Sequence, residues 1–333
     1  MNNPLIFSII IANYNYARFL RRALDSAFGL DWPFVEVIVV DDGSTDHSKE
    51  IISEYGSRLT AIFQCNSGQR IANNAGFAAS SGDVVIFLDA DDILEPELAR
   101  EIAAVWHNGI SKVQVQVQRV DVDERPIGPI MPRFRSPPSS DTIRYWATQM
   151  VEYPTPPGSG NAYARAFLER IFPLDATRDS ATDSTCIAMA PFLGDVVTIA
   201  QPLVCYRMHG DNDSNLLCND AYFGREVGRA LKRLRAAQDA CEMQGLPLPQ
   251  SSALRLGSHL LQLRTASLRL LPANHPMSGD NRWRALVDAI AVPFRAGVEP
   301  LDRRLMVSGY SILTLLLPIG FARTLIRKRF AQT

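Results

Sequence analysis

The chain has 333 residues, 47% hydrophobic and 21% charged, an ordinary globular composition that can fill one large core or two modest ones. Its net charge of −1 conceals an asymmetry: residues 1–220 hold 17 Lys+Arg against 28 Asp+Glu, and residues 221–333 hold 17 against 7, so the halves carry −11 and +10. The acidic front half argues against a nucleic-acid binder, and five scattered cysteines with no C-x-x-C pair argue for reduced thiols in a cytosolic protein.

The N-terminus lacks a basic region, and Leu5–Ala12 is too short for a signal peptide, so Ile6–Ala12 is expected as a first strand. Asn13-Tyr14-Asn15-Tyr16 leaves its carboxyl end, and Tyr16, Phe19, Leu20, Ala23, Leu24, Ala27 and Phe28 follow at helical spacing. Val35–Val40 is a second buried strand, ending at Asp41-Asp42-Gly43-Ser44-Thr45-Asp46, where Ser44 or Asp46 can cap a helix over Lys49–Tyr55. Leu59–Gln64 is a third strand, ending at Asn66-Ser67-Gly68, and a helix is expected over Gln69–Ser80. The fourth strand, Val84–Leu88, is a charge-free apolar run of the kind buried on both faces, and it runs into Asp89-Ala90-Asp91-Asp92. Alternating strands and helices at this rhythm specify a doubly wound sheet, and the polar clusters ending three of its strands should share one rim.

Massed carboxylates on that rim suit a hard divalent cation, Mg²⁺ or Mn²⁺, which normally also holds substrate phosphates. Further on, a helix is expected over Pro96–Asn108, and Val113, Val115 and Val117 alternate with glutamines as a half-exposed strand. Residues 125–140, rich in Pro and Arg, read as a mobile loop, and Pro154–Asn161 as a second irregular one. A helix over Ala181–Leu193 and two short strands, Val196–Ala200 and Leu203–Met208, complete the front half. Helices near 221–243, 251–271 and 281–296 follow.

Taken in order, Asn13-Tyr14-Asn15, Asp41-Asp42-Gly43-Ser44-x-Asp46, Asn66-x-Gly68, Phe87-Leu88-Asp89-Ala90-Asp91-Asp92, Ser159-Gly160-Asn161, Thr182-Asp183 and Tyr206-Arg207-x-His209 resemble the family-two glycosyltransferases. The resemblance covers about the first 215 residues and departs at Thr182, where many members have Glu. It implies an α/β fold, a doubly wound mixed sheet of the nucleotide-diphospho-sugar transferase (GT-A) type over residues 1–215. Residues 216–333 would then be a basic, α-helical, membrane-associating extension. It implies a metal-dependent, inverting transfer of sugar from a nucleotide diphosphate sugar to a glycan or lipid-linked acceptor hydroxyl, in cell-surface glycan synthesis. Tyr14 would stack on the nucleotide base and Asp42 accept its ring N–H, while Asn13, Gly68, Arg70, Asp89 and His209 line the donor site. Asp91, with Asp89 beside it or on its water shell, would hold the cation, and Asp183 would be the general base. Asp175 and Asp179 compete with Asp183 for that role. The rival reading is a non-catalytic nucleotide-sugar-binding or scaffolding protein of the same fold. A dehydrogenase is disfavoured, because Asn13-Tyr14-Asn15-Tyr16 stands where a G-x-G-x-x-G turn would be needed.

The tail carries Leu305–Ala322, eighteen residues without a charge between Arg303-Arg304 and Arg323. Cationic clusters at both ends disfavour spanning and favour a helix lying on the inner face of the membrane, with Leu305, Ile312, Leu315, Leu316 and Ile319 in the lipid; the alternatives are a helix packed against the catalytic domain and a spanning one. The expected protein is therefore cytoplasmic and peripheral on that face.

Overall fold

The computed structural model describes residues 4–134, 136–179, 181–210, 220–250, 252–255, 257–294 and 300–330. The chain divides into two compact units, residues 1–143 with 154–209, and residues 144–153 with 210–333. Residues 211–219, Cys218 among them, lie outside the described residues, and Cys65, Cys186, Cys205 and Cys241 are free thiols.

The first unit is built on eight strands: β1 (Phe7–Asn13), β2 (Val35–Asp41), β3 (Thr60–Phe63), β4 (Val84–Asp89), β5 (Ile93–Leu94), β6 (Ile110–Val120), β7 (Asn161–Ala164) and β8 (Asp195–Arg207). They form one sheet in the order β3-β2-β1-β4-β7-β6-β8-β5. The β-branched runs of β1, β2 and β4 pair in parallel and lie almost wholly buried, because helices cover both faces of such strands. β7 runs antiparallel between β4 and β6, so the sheet is mixed. In register, Asn13 lies opposite Asp41 and Ala12 opposite Asp89, so the three polar clusters do end on one rim.

Helix α1 (Ala17–Phe28) turns Leu20, Ala23, Leu24 and Ala27 onto Ile9, Ile11, Val37 and Val39. Each large side chain buried there contributes about 1.5–3 kcal/mol. Helices α2 (Ser48–Glu54), α3 (Gln69–Ala79), α4 (Leu98–Val105), α5 (Ser140–Met150), α6 (Arg165–Leu168) and α7 (Thr182–Leu193) follow. Neither Ser44 nor His47 caps α2 by its side chain; Asp46 does the equivalent work, accepting from the N–H of Ser48 at 3.0 Å and of Ala17 at 2.9 Å.

Three expectations are corrected. β6 is not half-exposed: Lys112 and Gln114 are fully buried, because their polar ends find partners described below. Residues 127–131 do not hang free within the loop expected over 125–140, since Val117 and Met131 exchange backbone hydrogen bonds of 2.6 and 2.9 Å and Ile127 N–H donates to Arg119 at 2.8 Å. The two strands expected over 196–208 are one, β8, with an irregular register against β6 around Gln116 and Pro202.

The second unit is helical: the greater part of α5, then α8 (Ala221–Gln244), α9 (Ser258–Leu270), α10 (Arg282–Ala291), α11 (Leu301–Leu316) and α12 (Ile319–Phe330). The uncharged stretch 305–322 is not one helix. It breaks at Pro318, and Arg269 donates to the freed carbonyl of Leu317. Leu315 is buried with Leu268 and Ala285, and Ile312 packs on Leu261, Ala289 and Val307, so these two do not face outward as expected, whereas Leu305, Leu316 and Ile319 do. Among the described residues no helix is long and apolar enough to cross a membrane.

An ion network sits at the centre of this unit. Arg264, fully buried, donates to both oxygens of Asp280 at 2.8 Å and to Asp288 at 3.0 Å, and His275 bonds Asp280 at 3.1 Å. Burial pushes the Asp280 carboxyl up, but His275 and Arg264 outweigh it and hold the group well below the usual carboxylate range. Such a depressed acid stabilises the fold above the unfolded value of about 3.9, and that contribution is lost as pH falls below it. Arg264→Met removes the guanidinium that Asp280 and Asp288 share, so it is expected to cost about 3–5 kcal/mol. Urea unfolding of the full chain measures this, and an unchanged transition would remove the network from the account of stability.

Candidate active site

The rim is assembled by side chains that tie one strand end to the next. Asn13 at the end of β1 donates to Asp41 at 2.8 Å and to Ser44 at 3.1 Å. Asn15, in the left-handed region at φ 59°, accepts from the N–H of Thr45 at 2.7 Å, and its own N–H donates to Ser44 Oγ at 2.9 Å. Asn tolerates that conformation better than most residues. Held from both sides, Tyr14 projects outward and is 45% exposed, which leaves a ring face open for stacking. Gly43 has φ +81° and a Cβ there would meet the Asn66 nitrogen at 2.7 Å, so no other residue lets the two loops approach.

Asp42 is buried and accepts from Gln64 Nε2 at 2.7 Å, from Ser67 N–H at 2.9 Å and from Gly68 N–H at 2.7 Å. Gly68 thereby joins the second rim cluster to the start of α3. A carboxylate has about four acceptor positions, so one remains for a ligand N–H. Arg70, in the first turn of α3, points its guanidinium at the carbonyls of Arg178 and Asp179, 3.4 and 3.5 Å away, and its Nε is buried with no partner.

The acidic cluster closes the other side. Asp92 is fully buried; it accepts from Ser159 Oγ at 2.6 Å and from Arg207 N–H at 2.9 Å. Arg207 Nε donates to the Asp91 carbonyl at 2.8 Å, and its other nitrogens reach the Val122 carbonyl at 3.1 Å and Glu124 at 3.2 Å. Asp92 and Arg207 therefore shape the loop and present Asp91. The His209 Nε2 lies 2.7 Å from Asp91 Oδ2, with its ring stacked on Phe19 at 4.9 Å and against the edge of Tyr16 at 5.8 Å. Phe19 and Tyr16, expected as core residues of α1, also brace this histidine.

Asp183 stands in the first turn of α7, which Asn73 anchors to α3 by a 2.9 Å bond to Thr182 Oγ1. A Cβ on Gly158 would lie 3.5 Å from Asp89 Oδ2 and 3.7 Å from Asp183 Oδ2, so these two carboxylates flank one bare backbone position. Burial first, then Asp91 and Asp183, push the Asp89 carboxyl up to about 8, with Gln69 opposing from 3.0 Å. Burial, Asp91 and Asp89 likewise drive Asp92 well above its ordinary value. The competing carboxylates are placed differently: Asp175 is exposed and bonded to Thr177, and Asp179 lies buried in the turn before α7.

Sequence reasoning missed the support beneath Gly158. Lys112 Nζ donates to Asn161 Oδ1 at 2.8 Å, Thr155 Oγ1 at 2.9 Å and Gln114 Oε1 at 3.0 Å. Asn161 Nδ2 in turn holds the Pro157 and Gly158 carbonyls at 3.0 and 3.2 Å. Burial drives this ammonium well below the usual lysine range, against the pull of Asp183 and Cys186. A lysine inside an otherwise alternating Val-Gln run was the available signal.

The family model described as Glycosyl transferase family 2 matches residues 8–172. An uncharacterised glycosyltransferase of Nostoc sp. is 36% identical over 218 residues, which is 62% of this chain and 66% of that protein. The putative glycosyltransferase EpsH of Bacillus subtilis is 33% identical over 105 residues, 31% of this chain and 30% of its own length. The chain thus spans less than two-thirds of either relative. Among solved structures, the mannosyltransferase PcManGT of Pyrobaculum calidifontis, in complex with GDP-Man and Mn²⁺, matches at TM-score 0.55 and 19% identity over 99% of this chain and 87% of its own. S. aureus TarS in complex with UDP-GlcNAc matches at TM-score 0.54 and 15% identity over 99% and 93%. At those identities the likeness establishes the fold, which is the GT-A fold. With the rim motifs and the family-model match together, residues 8–172 of the chain are a glycosyl transferase family 2 domain.

Proposed function

We propose that the chain transfers a sugar, with inversion, from a nucleotide diphosphate sugar to a hydroxyl of a glycan or lipid-linked acceptor in cell-surface glycan synthesis, working at the inner face of the membrane. The observation that carries this is the convergence of Asp89 and Asp183 about Gly158, with Asp91 next to them on the same rim. The placements of Tyr14, Asp42, Asn13 and Gly68 support a nucleoside site at the ends of β1 and β2. Tyr14 offers its face to the base and Asp42 its remaining acceptor to a ring N–H, while Asn13 fixes the distance between the two. Arg70 and His209 would contact the diphosphate or the cation that neutralises it.

The residues present fit a divalent cation. Among the described residues no three His, Cys, Asp or Glu side chains form a ready metal-holding cluster. A hard cation of this kind can be held by one or two carboxylates and completed by substrate phosphates. Asp91 would hold it, with Asp89, whose carboxyl is pushed up by burial first and then by Asp91 and Asp183. When bound, such a cation offsets charge on the departing diphosphate. Asp183 supplies the base, taking the acceptor proton as the hydroxyl attacks the anomeric carbon; one base and one displacement invert the centre.

The full chain is tested against a panel of UDP- and GDP-sugars with and without Mn²⁺. A cognate donor should raise the melting temperature, by an amount set by its concentration relative to Kd. It should also be consumed, with nucleoside diphosphate released and product of inverted configuration seen by NMR. Donor binding without consumption under any acceptor would instead identify the non-catalytic reading as correct.

A further inference from the structure

The helical unit turns a stripe of large apolar side chains to water. α10 directs Ala285, Asp288 and Ala289 inward, so its opposite side carries Trp283, Val287 and Ile290, and Phe294 continues the stripe just beyond the helix. Spacings of four and three place Trp283, Val287 and Ile290 on one face of the helix. They are 76%, 65%, 54% and 86% exposed. Single exposed apolar residues are ordinary, but a contiguous row marks an interaction surface. α11, packed on α10 through Val307 and Ala289, leaves Leu305 and Leu316 more than half exposed as well.

The charge around the stripe selects its occupant. Residues 221–333 carry 17 basic against 7 acidic side chains, and the exposed Arg282 and Arg284 bracket Trp283 itself. A second copy of this chain would bring two such positive faces together and repel. An amphipathic helix with aromatic and aliphatic residues on one side and arginines at its border is suited to the headgroup–acyl boundary of an anionic bilayer. With no described helix long enough to span, the contact is one of docking.

We propose that the α10–α11 face is the membrane-docking surface, inserting Trp283, Val287, Ile290 and Phe294 among anionic lipids. It deepens the membrane-side reading above, and vesicle binding is measured independently of sugar transfer. The uncharged stretch 305–322 contributes Leu305 and Leu316 to this face, while Ile312 and Leu315 pack inward.

Full-length protein is sedimented with phosphatidylcholine vesicles, with and without phosphatidylglycerol, and compared with the combined variant Trp283→Ser, Val287→Ser, Ile290→Ser, Phe294→Ser. Because these side chains are exposed, the variant should keep the wild-type melting temperature and donor-induced shift. Its bound fraction on phosphatidylglycerol vesicles should fall at least tenfold, whereas Trp283→Phe alone should keep most of the binding. Raising salt, which shortens the Debye length from about 10 Å at 0.1 M to 3 Å at 1 M, should weaken wild-type binding without abolishing it. Wild-type protein that ignores anionic vesicles, or a combined variant that binds them equally, overturns the proposal. So does a wild-type dimer that the combined variant dissociates without change in vesicle binding. A retained donor shift alongside lost vesicle binding would leave the transferase reading standing, and a lost shift alongside retained binding would do the reverse.

Discussion

Asp183→Asn is expected to slow sugar transfer by about 10²–10⁴-fold while the donor still binds. The amide keeps the size of the carboxylate and can still accept from the Ser184 N–H, a bond of 2.8 Å in the native chain. It removes only the ability to take a proton from the acceptor. The loss should therefore appear in kcat, with donor KM and the donor-induced rise in melting temperature kept. Asp179→Asn is the control. Its carboxylate accepts from the Ala181 N–H at 3.4 Å and shapes the turn into α7, so its effect should be a modest loss of stability. If Asp179→Asn abolishes transfer and Asp183→Asn does not, the base has been misassigned. The placement of Asp183 and Asp89 about Gly158 is what singles out Asp183.

Much of this rim is legible from sequence because each rim cluster ends a strand whose apolar run is unambiguous. A parallel sheet then brings the ends together whatever the intervening helices do. Asn13, Asp41 and Asp89 could thus be placed on one edge with no long-range information. The short strands β5 and β7, of two and four residues, have no periodicity to read, yet β7 is what makes the sheet mixed and sets Asn161 and Ser159 beside β4. The polar lattice was equally invisible. Ser159 reaches Asp92 across 67 positions and Arg207 reaches it across 115, and nothing local in the sequence reports such pairings. The glutamines of β6 misled for a related reason. Alternation with valine normally means one wet face, but Gln114 donates to Pro154 O and Thr198 Oγ1 and accepts from Lys112, so its amide is buried and satisfied. In the tail, composition gave the charge and the apolar content correctly. Which side each helix buries depended on α9 and on Pro318, which hydropathy alone does not resolve.

Asp91→Ala should abolish the metal-dependent part of nucleotide binding while the fold survives. Asp91 is the carboxylate best presented for this task, because Asp92 is taken up by Ser159 and Arg207. Its Oδ2 shares a 2.7 Å contact with His209 Nε2, and the histidine is fixed by Phe19 and Tyr16. Groups that orient a ligand typically matter by about 10–100-fold in metal affinity, so His209→Ala should weaken Mn²⁺-supported nucleotide binding by that amount and Asp91→Ala by more. Isothermal titration with UDP and GDP, with and without Mn²⁺, gives the order directly. The pH dependence has a defined sign. With no cation bound, Asp89 keeps its proton up to about 8, because burial, Asp91 and Asp183 all disfavour its charge. A cation needs the carboxylate, so loading it must expel that proton. Mn²⁺-supported affinity should therefore rise with pH until the Asp89 carboxyl has ionised and level off above it, whereas metal-free affinity should show no such rise. In Asp91→Ala the charge nearest to Asp89 is gone, which lowers the Asp89 carboxyl and moves any residual rise to lower pH. Unchanged nucleotide affinity in Asp91→Ala with Mn²⁺ present would remove the cation from this rim and leave Asp91 with a structural part beside His209.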